Sequence, residues 1–259
     1  MGTQNECVVM RGILPDKLTV IVTGGAGGIG AATARLLAGQ GAKVLIADIL
    51  DEKGNQISDE IGDNARYCSL DVTNVSHWEA AVALAEKEFG SVNALFNNSG
   101  IISLGTVLDC TPEEFRRIID VNLTGIFLGI HSVSPAITRS GGGVIVNTSS
   151  TAGLQGFGGL AAYVASKWGV RGLTKAAALD LATSGIRVVS IHPGPIATPM
   201  TEDLSSEMTA AQPIPRFGEA EEVARMVQFL MTEATFSTGS EFVIDGGQVT
   251  GQILELEGP

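Results

Sequence analysis

Apolar strand-like runs recur along the chain, and helical patterns fill most of the intervals between them. The runs contain Val20, Val44, Tyr67, Ala94, Val144, Val188 and Phe242 in turn. That alternation predicts an α/β chain with a doubly wound parallel sheet of seven strands and helices on both faces. The longest helical patterns extend over about 112–138 and 159–182. Thr111-Pro112-Glu113-Glu114 is a good helix start, with a capping hydroxyl, proline at the first position and acids in the first turn. No linker, repeat or charge block interrupts the pattern, so one domain is expected over 1–259, with its core at about 17–247. Periodicity fades only at 199–215, and a long irregular segment inside a compact domain suits a lid over a substrate.

Composition narrows the class. A chain of 259 residues with 44% hydrophobic content can bury a large core. The net charge of −12 argues against a nucleic-acid surface, which wants clustered Lys and Arg. Cys7, Cys68 and Cys110 are odd in number and widely spaced, so a disulfide framework is not expected and a reducing, cytoplasmic location is. His77, His131 and His192 lack metal-ligand spacing, so no metal is expected. The run Cys7-Val-Val-Met10 is too short for a spanning or secretory segment and Arg11 ends it, so no membrane partner is expected either.

The first strand-like run, Leu18-Thr-Val-Ile-Val22, leads into Thr23-Gly-Gly-Ala-Gly-Gly-Ile-Gly30 and then into a helix with a small-residue face. Gly24, Gly28 and Gly30 let the backbone turn sharply, and a diphosphate could approach the amides at the helix N-terminus around Ile29. Eighteen residues after Gly30, the next run ends in Asp48. A carboxylate there can accept hydrogen bonds from adenosine ribose hydroxyls and would repel a 2′-phosphate. Strand, glycine turn, helix and acid together point to a dinucleotide, and to NAD over NADP.

Tyr163 and Lys167 stand four residues apart in Ala-Tyr-Val-Ala-Ser-Lys, which on a helix puts both side chains on one face. A free phenol titrates near ~10 and makes a poor base at neutral pH. A nearby ammonium favours the phenolate, and a shift of ~3 units needs about 4 kcal/mol of differential interaction. A phenol so tuned could take a proton from an alcohol or return one to a ketone. Ser149 and Ser150, just past the run at Val144, could hydrogen-bond a substrate oxygen as charge develops on it.

These residues resemble the short-chain dehydrogenase/reductases, a family with an extended NAD(P)-binding Rossmann fold. Thr23-Gly-x-x-x-Gly-x-Gly30 is similar to that family's cofactor fingerprint. Asn97-Asn98-Ser99-Gly100 is similar to its Asn-Asn-Ala-Gly element, departing at Ser99. Asn122 matches its helix asparagine, and Ser150, thirteen residues before Tyr163, matches its catalytic serine in preference to Ser149. The resemblance implies that Asn122 helps order a water leading from Lys167 to solvent. It also implies that Lys167 both lowers the Tyr163 pKa and bonds the nicotinamide ribose. Asp71-Val72 would contact adenine and Asn97 the adenosine side. Pro193-Gly194, Ile196 and Thr198 would embrace the nicotinamide.

The expected activity is thus NAD-dependent interconversion of a secondary alcohol and a ketone. The segments expected around the cleft are apolar: Ile101-Ile102, Ala152 to Phe157, Leu160 and Met200. No Arg or Lys occurs at 140–166 or 188–215. An uncharged hydroxysteroid or other cyclic alcohol fits such a pocket. A 3-oxoacyl-thioester reductase shares the catalytic set, but Ile49 and Leu50 after Asp48 offer no cation for a 2′-phosphate. A dinucleotide-sensing regulator without turnover is the alternative of another class, and it would typically lack part of that set. Apolar stretches near 115–136 and 161–182 exceed what one face of a monomer helix needs, and predict a homotetramer, with a dimer second.

Overall fold

A computed structural model describes residues 12–251, so Cys7 and the run 7–10 lie outside the described residues. The principal strands and helices are β1 (Thr19–Thr23), α1 (Gly28–Gly39), β2 (Lys43–Asp48), α2 (Asp51–Ile61), β3 (Ala65–Ser69), α3 (Val75–Phe89) and β4 (Ala94–Asn97). They continue as α4 (Pro112–Ile119), α5 (Gly125–Arg139), β5 (Gly143–Thr148), α6 (Ala161–Asp180), β6 (Ile186–Pro193), β7 (Ile196–Ala197), β8 (Gly218–Glu219), α7 (Ala220–Thr232) and β9 (Glu241–Ile244).

Seven strands form one parallel sheet in the order β3-β2-β1-β4-β5-β6-β9. These are the seven expected runs, and they are legible because the central strands are buried on both faces. Along β1, Val20 and Val22 face the layer of α1 and α7, where Leu37, Val223, Val227 and Leu230 pack. Ile21 faces the other way, into a layer with Trp78, Val82, Ile126, Val133 and Val170 from α3, α5 and α6. Strand order reverses beside β1, with β2 on one side and β4 on the other. The crevice at the carboxyl ends there is where such sheets take ligands.

The single helix expected over 112–138 is interrupted. Thr111 caps it as expected, its hydroxyl accepting from the Glu114 amide at 3.1 Å, but Asp120–Thr124 is a π turn between α4 and α5. Asn122 lies in that turn with its side chain bonded to two other segments, and tertiary bonds of this kind are what a local pattern does not carry. The stretch Pro112–Arg139 has the length and mean hydropathy, 1.2, of a membrane-crossing helix, but half of its apolar window is buried inside the fold. α6 begins at Ala161, after Gly159 turns with φ +79°. The two-residue ribbon of β7 and β8 was too short to leave a sequence pattern.

Candidate active site

A cleft of about 1100 Å³ opens at the carboxyl ends of the central strands. Its floor is the glycine turn between β1 and α1. Gly24 has φ +63°, and a Cβ there would lie 2.9 Å from Asn98 Nδ2. A Cβ on Gly30 would collide with the Gly24 carbonyl, so Gly30 holds the turn shut without lining the cleft. Gly27, the N-cap of α1, has no side chain to bond the first-turn amides. Gly27, Gly28 and Ile29 line the wall, so those amides stand beside open space. Thr23 Oγ1 accepts from the Asn98 and Ser99 amides at 2.9 and 3.1 Å and ties the end of β1 to the end of β4.

Asp48 closes one end of the cleft. Its carboxylate accepts from the Ala26 amide and the Leu50 amide, both at 3.0 Å, which fixes the acid against the glycine turn. Tyr67, on the neighbouring strand β3, donates toward the Asp48 carbonyl at 2.7 Å and toward the Asp51 carboxylate at 2.6 Å. That phenol pins the turn that carries Asp48. Sequence reasoning used Tyr67 only to mark a strand, since nothing local shows which turn it will meet. Ile49 and Leu50, which follow Asp48, offer no cation, but Lys53, from the first turn of α2, lines the same cleft. It lies one helical turn beyond the segment in which a cation was sought. Asp71 and Val72 line the wall, and the Thr73 amide holds the Asp71 carboxyl below its usual range.

Gly100, Pro193, Gly194, Ile196 and Thr198 line the cleft as well. Asn97 does not. It is buried, its Nδ2 donates to Asn147 Oδ1 at 2.9 Å, and Asn147 in turn donates to Thr174 Oγ1 at 3.0 Å. Alternation along β4 explains the correction: Asn97 turns into the layer of α5 and α6, so only Asn98 reaches the cleft.

The reacting end is built from β5, α6 and the π turn. Ser150, Tyr163 and Lys167 all line the cleft. Lys167 is buried and its ammonium donates to the Thr148 carbonyl at 2.9 Å. Ser149 is already committed, its hydroxyl donating to the Lys167 carbonyl at 2.9 Å, which leaves Ser150 for the cleft. Asn122 is fully buried: its amide exchanges two hydrogen bonds with the Ile101 backbone, at 2.8 and 2.9 Å, and also donates to Ser166 Oγ at 3.2 Å. In this arrangement its side chain fixes the loop after β4 against α6.

Electrostatics differ from the simple expectation. Lys167 Nζ is 5.5 Å from the centre of the Tyr163 ring. Burial pushes the Tyr163 phenol up, against a smaller downward pull from the Ser150 hydroxyl. Burial also pulls the Lys167 ammonium down, to about 8. Each group alone therefore resists charge.

One further group was missed. His192 on β6 is fully buried and bridges the Ser150 carbonyl (Nδ1, 3.0 Å) and Ser190 Oγ (Nε2, 2.9 Å). A carbonyl only accepts, so Nδ1 carries the proton and Nε2 accepts from the serine. Burial lowers its pKa, which keeps the ring neutral while it holds the Ser150 backbone. Two-residue alternation along β6 is the only sequence signal, and it does not name the partner. Among the described residues no cluster of His, Cys, Asp and Glu is placed to hold a metal.

The short chain dehydrogenase family model matches residues 18–209. The chain belongs to that family. A 3-alpha-(or 20-beta)-hydroxysteroid dehydrogenase of Mycobacterium tuberculosis is 46% identical over 243 residues, 93% of each chain. A cyclohexanol dehydrogenase of an Acinetobacter species is 44% identical, covering 92% of this chain and 98% of that protein. The crystal structure of levodione reductase superposes with a TM-score of 0.85 at 34% identity, covering 89% of this chain and 97% of that one. The protein is accordingly an oxidoreductase that interconverts secondary alcohols and ketones with a nicotinamide dinucleotide.

Proposed function

We propose that the chain oxidises an uncharged cyclic secondary alcohol, of hydroxysteroid or cyclohexanol type, with NAD. The observation that carries this reading is one continuous cleft with the fixed carboxylate of Asp48 at one end and Ser150, Tyr163 and Lys167 at the other. Uncapped amides beside Gly28 and Ile29 suit a diphosphate, and Asp48 suits the adenosine ribose hydroxyls. Asp71, Val72 and Asn98 would border the adenosine, and Pro193, Gly194, Ile196 and Thr198 the nicotinamide. The nicotinamide supplies the hydride acceptor. Tyr163 takes the hydroxyl proton, Ser150 bonds the same oxygen as charge develops on it, and Lys167 stabilises the phenolate and bonds the ribose. Neither Tyr163 nor Lys167 favours charge alone, but the phenolate and ammonium formed together attract one another in a medium of low dielectric. Asn122 and His192 position the loop and the serine.

Substrate class rests on the rest of the wall. Ile101, Ile102, Phe157, Leu160, Met200, Leu204 and Met208 are apolar, and Met200, Leu204 and Met208 come from 199–215, which we assign as the lid. Arg116 and Arg117 also reach the cleft, but each is already paired, with Glu113 at 3.3 Å and Glu114 at 2.8 Å. This leaves little for an anionic thioester. The related hydroxysteroid and cyclohexanol dehydrogenases support the same class. A rate panel of hydroxysteroids, cyclohexanols, sugars and acyl-thioesters tests it, and preference for sugars or thioesters would overturn it.

Cofactor choice pits Asp48 against Lys53. Two backbone amides fix the acid, whereas the lysine is exposed and free to swing away, so NAD is expected to be preferred. Asp48→Ala should narrow the NAD-to-NADP ratio of kcat/KM by about 10-fold or more, by weakening NAD and relieving repulsion. Comparable efficiency with both cofactors in the parent enzyme would refute the assignment.

A groove of about 390 Å³ between α5 and α6, with Phe127, Ile130, His131 and Leu173 on its walls, leaves apolar surface on the face away from the sheet. Phe127 is 49% exposed and Leu179 80%. Covering this face by a second copy supports self-association; a homotetramer, which needs a second interface as well, is our first choice and a dimer the second. Light scattering at micromolar concentration should give four chains per particle, and a monomer would contradict the reading. A cytoplasmic location is proposed on the free thiols of Cys68 and Cys110.

A further inference from the structure

Among the described residues, four buried side-chain polar atoms lack a hydrogen-bond partner: Thr148 Oγ1, both amide atoms of Gln212, and Gln248 Oε1. Buried polar groups are rarely left unpaired. Three of the four belong to two segments that the fold presses together. Ile214 donates its amide to the Gly246 carbonyl at 3.0 Å. Gln212 Oε1 lies 3.2 Å from where a Gly246 Cβ would stand, and Pro213 Cγ 2.7 Å from where one on Gly247 would. Asp245 stiffens this turn, its carboxylate accepting from the Gly247 and Val249 amides at 2.8 Å each. Gly246 and Gly247, with φ +65° and +88°, permit the close approach. The far end of the lid is thus fixed to the turn after β9.

Gln248 emerges from that turn and lines the cleft, as do Met200, Leu204 and Met208 of the lid. The same turn touches Gly194, a Cβ of which would lie 2.8 Å from Asp245 Cα, so Gln248 stands at the substrate end and not beside Asp48. Along the sheet, β9 is two strands from β5, the strand that carries Ser150.

We infer that Gln248 is a specificity residue that binds a second, uncharged oxygen of a cyclic substrate whose reacting oxygen is held by Ser150 and Tyr163. The inference rests on the function proposed above and adds to it a requirement on the substrate. Gln248 Oε1 is closed off from the cleft, so Nε2 is the group that reaches the substrate; it donates to a ketone or a hydroxyl oxygen alike and supplies no charge for a carboxylate. On an otherwise apolar side of the cleft, a substrate lacking that oxygen leaves the amide unpaired. Discrimination by such sites is large for this reason.

The test compares kcat/KM for trans-1,4-cyclohexanediol and cyclohexanol at saturating NAD, in the full-length enzyme. The parent should favour the diol by about 10-fold or more, the worth of one hydrogen bond to a bound substrate. Gln248→Met, of similar length and without the amide, should bring the ratio near one while the KM for NAD moves less than about twofold. Gln248→Glu should instead favour trans-4-aminocyclohexanol over the diol, a gain that a misfolded variant cannot produce. A ratio unchanged in Gln248→Met would overturn the inference. So would equal thermal destabilisation by Gln248→Met and Gln212→Met with the ratio intact, because both amides would then serve the fold alone. If the parent turns over neither alcohol nor any hydroxysteroid, the proposed substrate class itself fails, and this subsite with it.

Discussion

Tyr163→Phe should retain NAD affinity within a few-fold of the parent and lose turnover by roughly 10² or more. The ring keeps its place in α6 and its packing against the cleft, because only the hydroxyl oxygen is removed. The proton path is then gone while the hydride path is intact. Stopped-flow absorbance of reduced nicotinamide, beside fluorescence titration of cofactor binding, separates the two. Near-normal turnover would remove Tyr163 from the mechanism. The parent's pH dependence carries a sign. Burial raises the Tyr163 phenol, so the phenolate needed for oxidation is favoured as pH rises, and the phenol needed for ketone reduction is favoured as it falls. Oxidation and reduction rates should therefore move in opposite directions with pH, and parallel profiles would contradict the role given to this residue.

How far the sequence carried this picture depended on how local each feature was. β1 and β5 were legible because burial on both faces forces near-continuous apolar runs, as in Val144-Ile-Val146. The glycine turn was legible because Gly24 needs a positive φ and Gly30 abuts the Gly24 carbonyl. Thr111 and Pro112 announced a helix start that the structure contains. Features set by contacts between distant segments were not legible. Tyr67 meets the Asp48 turn from 19 positions away, and His192 meets Ser150 from 42. Gln212 meets Gly246 through a segment that has no periodicity of its own. Asn97 was misassigned because a dipeptide motif does not say which of its two side chains faces the layer below. Trp168 is 47% exposed, with the Arg171 guanidinium 4.7 Å from its ring centre. Arg171 itself is held by Glu241 on β9 at 3.0 Å.

Lys167→Met is expected to abolish most turnover and yet to leave the protein as stable as the parent at pH 7, or more so. The side chain is 2% exposed and its ammonium is pulled down to about 8 by burial, against 10.5 for the free group. Between those values the folded chain binds fewer protons than the unfolded one, so stability rises with pH across the window. Below pH 8 the full penalty of burying the charge is present, on the order of 3 kcal/mol. Methionine removes that penalty and fills similar volume, but it leaves the Thr148 carbonyl without its donor, which costs about 1–3 kcal/mol. The balance lies between no change and about 2 kcal/mol of stabilisation, a rise in Tm of at most several degrees for a domain of this size. The sign should reverse at high pH. As pH passes 10.5 the parent sheds its penalty and keeps its hydrogen bond, so the variant becomes the less stable chain. Turnover should fall by about 10² or more at every pH, and cofactor affinity should weaken, because the lysine is assigned to both phenolate and ribose. Melting curves at pH 7 and pH 10.5 with parallel rate measurements decide the matter. A variant several degrees less stable at pH 7 that still turned over would mean the lysine is structural. The opposite result would mean that this fold keeps a buried charge, at the expense of its own stability, because the reaction needs it there.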